Sequence, residues 1–164
     1  MANSLWDRVG ATLAQEFSDA ADAEQITRIV LRLAIAGVLG GVLGFEREAS
    51  GKAAGVRTHM LVCMGAAAFV LVSQQAGMAQ TDVSRVVQGV VAGIGFLGAG
   101  TILKSTREDS VKGLTTAAGI WLTAAVGVAA GMGRETTAVL CALLALGVLS
   151  AVPLVHRLLG RGHG

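Results

Sequence analysis

The chain has 164 residues, of which 53% are hydrophobic and only 15% charged, with a formal net charge of +2 and a mean hydropathy of +0.65. A water-soluble domain of this length carries nearer a quarter charged residues, so the composition points to lipid as the solvent. The small net charge and the lack of a basic tract exclude nucleic acid as a partner, and 23 glycines set inside apolar runs beside one proline exclude a collagen-like repeat or a disordered linker.

Residues 1–25 form a separate N-terminal segment. They hold Asp7, Glu16, Asp19, Asp22 and Glu24 and lack the apolar core of a cleavable signal. Leu5, Trp6, Val9, Leu13 and Phe17 recur at near-helical spacing, opposite Asp7, Arg8, Gln15, Glu16 and Asp19. That pattern predicts a short amphipathic helix along the membrane surface, with Trp6 at headgroup depth. A polar tail without structure is the alternative.

Five apolar runs follow, at about 26–45, 60–79, 86–103, 114–132 and 136–155, and each is long enough as a helix to cross a bilayer. They predict an all-α integral membrane bundle of five transmembrane helices over 26–159, closed by a short tail at 160–164. In the first, Gly37, Gly40, Gly41 and Gly44 leave one face nearly bare, a surface for close packing on another helix, with the third crossing as its expected partner. Glu24, Arg28 and Arg32 share a stripe, and Arg32 lies about a turn inside the apolar run. It either snorkels to the interface or serves as a buried functional charge.

The third run, 86–103, holds no charge and five glycines, Gly89, Gly93, Gly95, Gly98 and Gly100. It reads as the helix around which the others pack. Asp82 is placed to cap its N-terminus, with Arg85 beside it. In the fourth run Trp121 lies too deep for an interfacial belt and is assigned to the bundle core. Arg47, Lys52, Arg57, Lys104, Arg107, Lys112, Arg157 and Arg161 fall on one side of five crossings, against Arg8, Arg28, Arg85 and Arg134 on the other. By the positive-inside rule the C-terminus and the two charged loops face the cytoplasm and the N-terminus lies outside.

Several motifs are set aside. Gly93-Ile-Gly-Phe-Leu-Gly98 matches a dinucleotide fingerprint in letters, but it lies within a membrane helix without a preceding strand. Gly51-Lys52 lacks the remaining residues of a phosphate loop. Cys63 and Cys141 have no metal spacing and read as small packing residues. With His59, His156 and His163 the only histidines, no nucleophile–base set can be built, so no enzyme and no cofactor is implied. What remains is a polar cluster at the predicted cytoplasmic face: Arg57, Thr58 and His59 at the start of crossing two, and Lys112, Gly113, Thr115 and Thr116 at the start of crossing four, with Glu46, Arg47, Glu48 and Lys104 nearby. Two helix N-termini beside these groups suit an anion pocket for a lipid headgroup or phosphate. Interfacial anchors and caps, or a cation site on Glu46, Glu48 and Asp109, are the alternatives.

These residues also carry a family resemblance. Leu31-Arg32-Leu33, Gly44-Phe-Glu-Arg-Glu48, Gly51-Lys-Ala-Ala-Gly-Val-Arg-Thr-His59, Ser84-Arg85-Val86, Gly93-Ile-Gly-Phe-Leu-Gly-Ala-Gly-Thr-Ile102 and Gly113-Leu-Thr-Thr-Ala-Ala118 with Trp121 resemble, in order, the membrane domain of the MgtC/SapB family. The resemblance is to its shorter, SapB-like members without a soluble C-terminal domain. It implies a bacterial inner-membrane protein of about five helices, linked to magnesium homeostasis, to survival inside host phagocytes and to restraint of the F-type ATP synthase. It places the family's polar motif residues at Glu46, Arg47, Arg57, Thr58, His59, Asp82, Arg85, Lys104, Thr115 and Thr116.

Together these readings lead to a non-enzymatic membrane protein that acts by helix–helix contact, with itself as a homo-oligomer or with another inner-membrane complex. The competing reading is a small oligomeric ion transporter or channel, with Arg32, Gln88 and Thr101 on a central path.

Overall fold

A computed structural model describes residues 4–16, 18, 22–104 and 111–159. Phe17, Asp19, Arg107, Asp109, Arg161 and His163, used in the readings above, lie outside the described residues. The chain divides into two units, Met1–Leu31 and Arg32–Gly164.

In the first unit, α1 spans Leu5–Glu16. Its start is fixed by a reciprocal cap: the Asp7 N–H donates to Ser4 Oγ at 3.2 Å, and the Ser4 N–H donates to Asp7 Oδ2 at 2.9 Å. Leu5, Trp6, Val9 and Leu13 are all exposed along it, as an interfacial helix requires. The unit also contains the start of α2, Ala23–Ala49. There Asp22 Oδ1 accepts the Glu24 N–H at 3.2 Å, and Arg28 pairs with Glu24 at 2.7 Å.

The second unit carries the rest of α2, α3 (Val56–Gln75), α4 (Gln80–Ala99), α5 (Leu114–Gly131) and α6 (Glu135–Leu159). Helices α2 to α5 are each long and apolar enough to cross a membrane, and α6 is apolar over Glu135–Ala151. The fold is therefore all-α and bundle-like. One small addition breaks the helical pattern: in the loop read from Lys104 to Gly113, β1 (Leu103–Lys104) pairs antiparallel with β2 (Val111–Lys112), Leu103 opposite Lys112.

The helix at the centre is α5, which packs against α3, α4 and α6. Half of its apolar stretch is buried, against 11% for α4, so the expectation that 86–103 organises the bundle is corrected. The reason lies in where the glycines point. A Cβ at Gly131 would lie 2.6 Å from the Ala67 carbonyl oxygen, and one at Gly127 would overlap the Cys63 carbonyl, so α3 and α5 touch backbone to backbone. On α4, by contrast, Gly89, Gly93 and Gly95 meet nothing within 4 Å, and Gly98 alone faces α5, with Ala117 Cβ 3.5 Å from its Cβ position.

The glycine face of α2 is also used inside the chain. Cβ atoms at Gly40 and Gly44 would come within 2.6 Å of the His59 carbonyl oxygen and the Val56 Cα, while Gly37 and Gly41 face Met64 and Met60. That face packs on α3, not on the third crossing as expected. The short turn between α2 and α3 makes them sequential antiparallel neighbours, and such neighbours pack first. Ala36, Leu43, Cys63, Ala67, Val126, Ala130, Ala138, Ala142 and Ala145 form the resulting core. Trp121 is corrected too: it is 49% exposed on the outer face of α5, because α5's inward face is filled by Ile120, Thr123, Ala124 and Gly127.

Candidate functional site

Apart from Asp82 and Arg85, the polar motif residues gather where α2 ends and α3 and α5 begin, but they divide into distinct groups there. The first is an ion pair. Arg47 is buried, and its Nε donates to Glu46 Oε2, while Ser50 Oγ donates to Glu46 Oε1 at 3.0 Å. This pair holds the last turn of α2 and the start of the turn that follows.

The second group surrounds the N-terminus of α3. Gly55, its N-cap, supplies no side chain, and Glu48 reaches across the turn so that its Oε2 accepts the Val56 N–H at 3.0 Å. The position an exogenous anion would take at this helix dipole is thus held by a carboxylate of the chain itself. Arg57 and Thr58 are exposed and line, with Glu48, Gly55 and Val56, an open hollow of about 470 Å³.

The third group is His59 with Thr115. His59 is 1% exposed, and its Nδ1 lies 3.0 Å from the Gly55 carbonyl oxygen. Its Nε2 is buried without a hydrogen-bond partner. Both residues line a cavity between α2, α3, α5 and α6. Thr116, next to Thr115, is buried, and Gly113 starts α5 in a left-handed conformation, φ 97°, pressed on the Thr101 carbonyl so that no side chain fits. Lys104 lies in β1, its backbone opposite Val111.

At the opposite end, Asp82 is not the cap of α4. The helix begins earlier, with Ala79 at the N-cap, which puts Asp82 in the first turn where its charge meets the helix dipole; Arg85 is exposed. Arg32 makes contacts with three other helix ends. Its Nη1 donates to Gln74 Oε1 and to the Gly131 carbonyl oxygen, both at 2.9 Å, and its Nε lies 3.9 Å from Glu135 Oε1. The guanidinium packs on Gly133, φ 72°, where any Cβ would displace it. Arg32 therefore ties α2 to the ends of α3 and α5 and the start of α6. Sequence reasoning placed Arg32 but missed Gln74, Gly131 and Glu135; the signal was the arginine itself, since a cation in an apolar helix needs acceptors nearby.

This arrangement does not place Arg32, Gln88 and Thr101 on one path within a single copy. Arg32 sits at the end of the bundle away from Thr101, Gln88 is exposed on α4, and Thr101 Oγ1 donates to the Gly98 carbonyl at 2.8 Å. Glu46 and Glu48, the described members of the alternative cation site, are each committed to partners in the chain. Among the described residues, no group of three or more His, Cys, Asp or Glu side chains converges to hold a metal ion.

Compared with known proteins, residues 33–158 match the MgtC family profile. YhiD of Escherichia coli K12, whose name makes it a candidate magnesium transporter, is 40% identical over 143 residues, covering 82% of this chain and 65% of YhiD. SrpB of Synechococcus elongatus is 49% identical over 113 residues, 62% of each chain. MgtC of Brucella abortus is 43% identical over 125 residues, 76% of this chain and 51% of that protein. The chain thus spans 65% or less of the length of these relatives. No solved structure matches it.

Proposed function

This chain belongs to the MgtC family, and from that membership we propose a non-enzymatic protein of the bacterial inner membrane that works by helix–helix contact in the response to low magnesium. The observation that carries the proposal is the unused glycine face of α4. Gly89 and Gly93, with Gly65 of α3, line an apolar groove of about 570 Å³. Among the described residues, no atom outside the local helix backbone comes within 4 Å of a Cβ placed on any of the three. Lipid supplies no hydrophobic drive for helices to associate, so bare backbone surfaces are the main means of contact. Gly40 and Gly44 of α2 and Gly127 and Gly131 of α5 are spent on the chain's own fold; Gly89, Gly93 and Gly95 of α4 remain for a second copy or another membrane complex.

In this reading the α2–α3 turn, the 104–112 segment and the C-terminus face the cytoplasm, following the distribution of Lys and Arg. The link to magnesium rests on family membership and on the name of YhiD. Replacing Gly89 and Gly93 by Leu tests the contact, because the open space around both leaves the single-chain fold intact. Native gels and crosslinking in membranes are expected to show loss of the assembly with unchanged thermal stability. Assemblies that persist in the double variant would contradict the proposal.

The magnesium-transporter name of YhiD supports a second reading, an oligomer that passes an ion between copies. Flux into liposomes holding purified protein separates the two.

A further inference from the structure

The cavity between α2, α3, α5 and α6 has a volume of about 360 Å³, within the range of small-molecule sites at roughly 300–1,000 Å³. Its lining along α6 runs from Cys141 to Leu149, about 12 Å of helix at 1.5 Å per residue. Leu144 and Val148 are exposed at its edge, so it opens sideways to the surrounding hydrocarbon. Its polar end is formed by His59 and Thr115, near the starts of α3 and α5.

His59 sets the chemistry of that end. A carbonyl oxygen can only accept, so the Nδ1 facing the Gly55 carbonyl carries the ring proton, and in the neutral ring Nε2 is a bare lone pair. That atom is buried and has no partner. A Cβ on Gly119, another lining residue, would stand 3.7 Å from it, so the missing side chain at 119 keeps the approach to Nε2 clear. A buried acceptor without a donor is costly, and the donor has to come from something that fits an apolar slot open to lipid. An alkane offers no hydrogen, and an ester carbonyl or a carboxylate only accepts.

We propose that this cavity binds a single hydrocarbon chain ending in an O–H group, which donates to His59 Nε2 while the chain lies along α6 toward Cys141. The hydroxyl can belong to a polyol lipid headgroup folded back to the interface or to a free fatty alcohol or protonated fatty acid; the chemistry His59 selects is the same.

The test uses the full chain in phosphatidylcholine nanodiscs with a hexadecanol carrying a mid-chain diazirine, and the methyl ether of the same probe. The alcohol is expected to label peptides spanning 115–122 and 141–149 at least five-fold more than the ether. His59→Asn retains an amide donor for the Gly55 carbonyl but has no acceptor at the Nε2 position, and brings the alcohol down to the level of the ether. Gly119→Leu fills the slot and lowers labelling by both; it also serves if His59→Asn does not fold. Equal labelling by alcohol and ether in the unmodified chain, or labelling spread evenly over all helices, would overturn the proposal. Native mass spectrometry then separates the sources: retained phosphatidylglycerol identifies a headgroup hydroxyl, retained palmitic acid a free chain, and retention of neither overturns a natural occupant.

Discussion

At the scale of single residues, some polar groups of this chain complete the fold, and among the described residues one buried side-chain atom is left without a partner. Arg32 belongs to the first kind. Buried cations survive in apolar surroundings by meeting acceptors, and Arg32 uses the Gly131 carbonyl, one of those that the end of α5 leaves without a helical partner. Hydrogen bonds to a charged donor contribute about 1.5–3 kcal/mol. Arg32→Leu is thus expected to lower stability by about 2 kcal/mol, and Arg32→Lys to recover less than half, because an ammonium cannot span Gln74 and Gly131 as the planar fork does. Thermal unfolding in detergent measures both. Glu48 is of the same kind, a cap supplied from across a turn. Glu48→Ala should cost roughly 1 kcal/mol by the same measurement. His59 is the exception, with one ring nitrogen satisfied and the other left facing a cavity.

At the scale of elements, glycine position decides which helices touch. Gly127 and Gly131 bring α5 onto α3, and Gly40 and Gly44 bring α2 onto α3. A methyl group at Gly127 has to enter the Cys63 carbonyl, so Gly127→Ala is expected to destabilise by about 1–3 kcal/mol, the usual penalty of overpacking. Gly65→Ala, in open space on α3, should leave stability within about 1 kcal/mol of the parent. A pair of variants with equal gains would show that helix propensity, and not contact, sets the effect. The sequence made the existence of these helices legible, because apolar runs of membrane length have few other solutions. It did not reveal which glycine faces which helix. All the runs carry similar small residues, and choosing α4 as the hub weighed the number of its glycines; burial depends on their direction. Trp121 was misplaced for a related reason, since depth along a helix and side around it are independent coordinates. The site was legible in part: Glu46, Arg47, Arg57, Thr58, His59, Thr115 and Thr116 do lie near the starts of α3 and α5. Their division into an ion pair, a capped terminus and a lipid-facing cavity depends on side-chain direction.

At the scale of the whole molecule, α4 is the least buried of the four helices that, among the described residues, are long and apolar enough to span, and its exposed Phe96 and Leu97 continue the apolar surface beside the open glycines. The sidedness proposed for the chain rests on its basic residues. A cysteine at Ser50, exposed in the α2–α3 turn, should resist a membrane-impermeant thiol reagent on whole cells and react in inverted vesicles; labelling from outside would reverse the orientation. The proposed contact through α4 admits the most direct test of all. With Cys63 and Cys141 replaced by Ser, a cysteine at Gly93 is expected to form a covalent dimer, or a covalent adduct with one defined membrane protein, when membranes are treated with a short thiol crosslinker. A cysteine at Gly119 on α5 should remain monomeric under the same treatment. A chain that stays monomeric with the cysteine at Gly93, at native expression levels, would contradict the account.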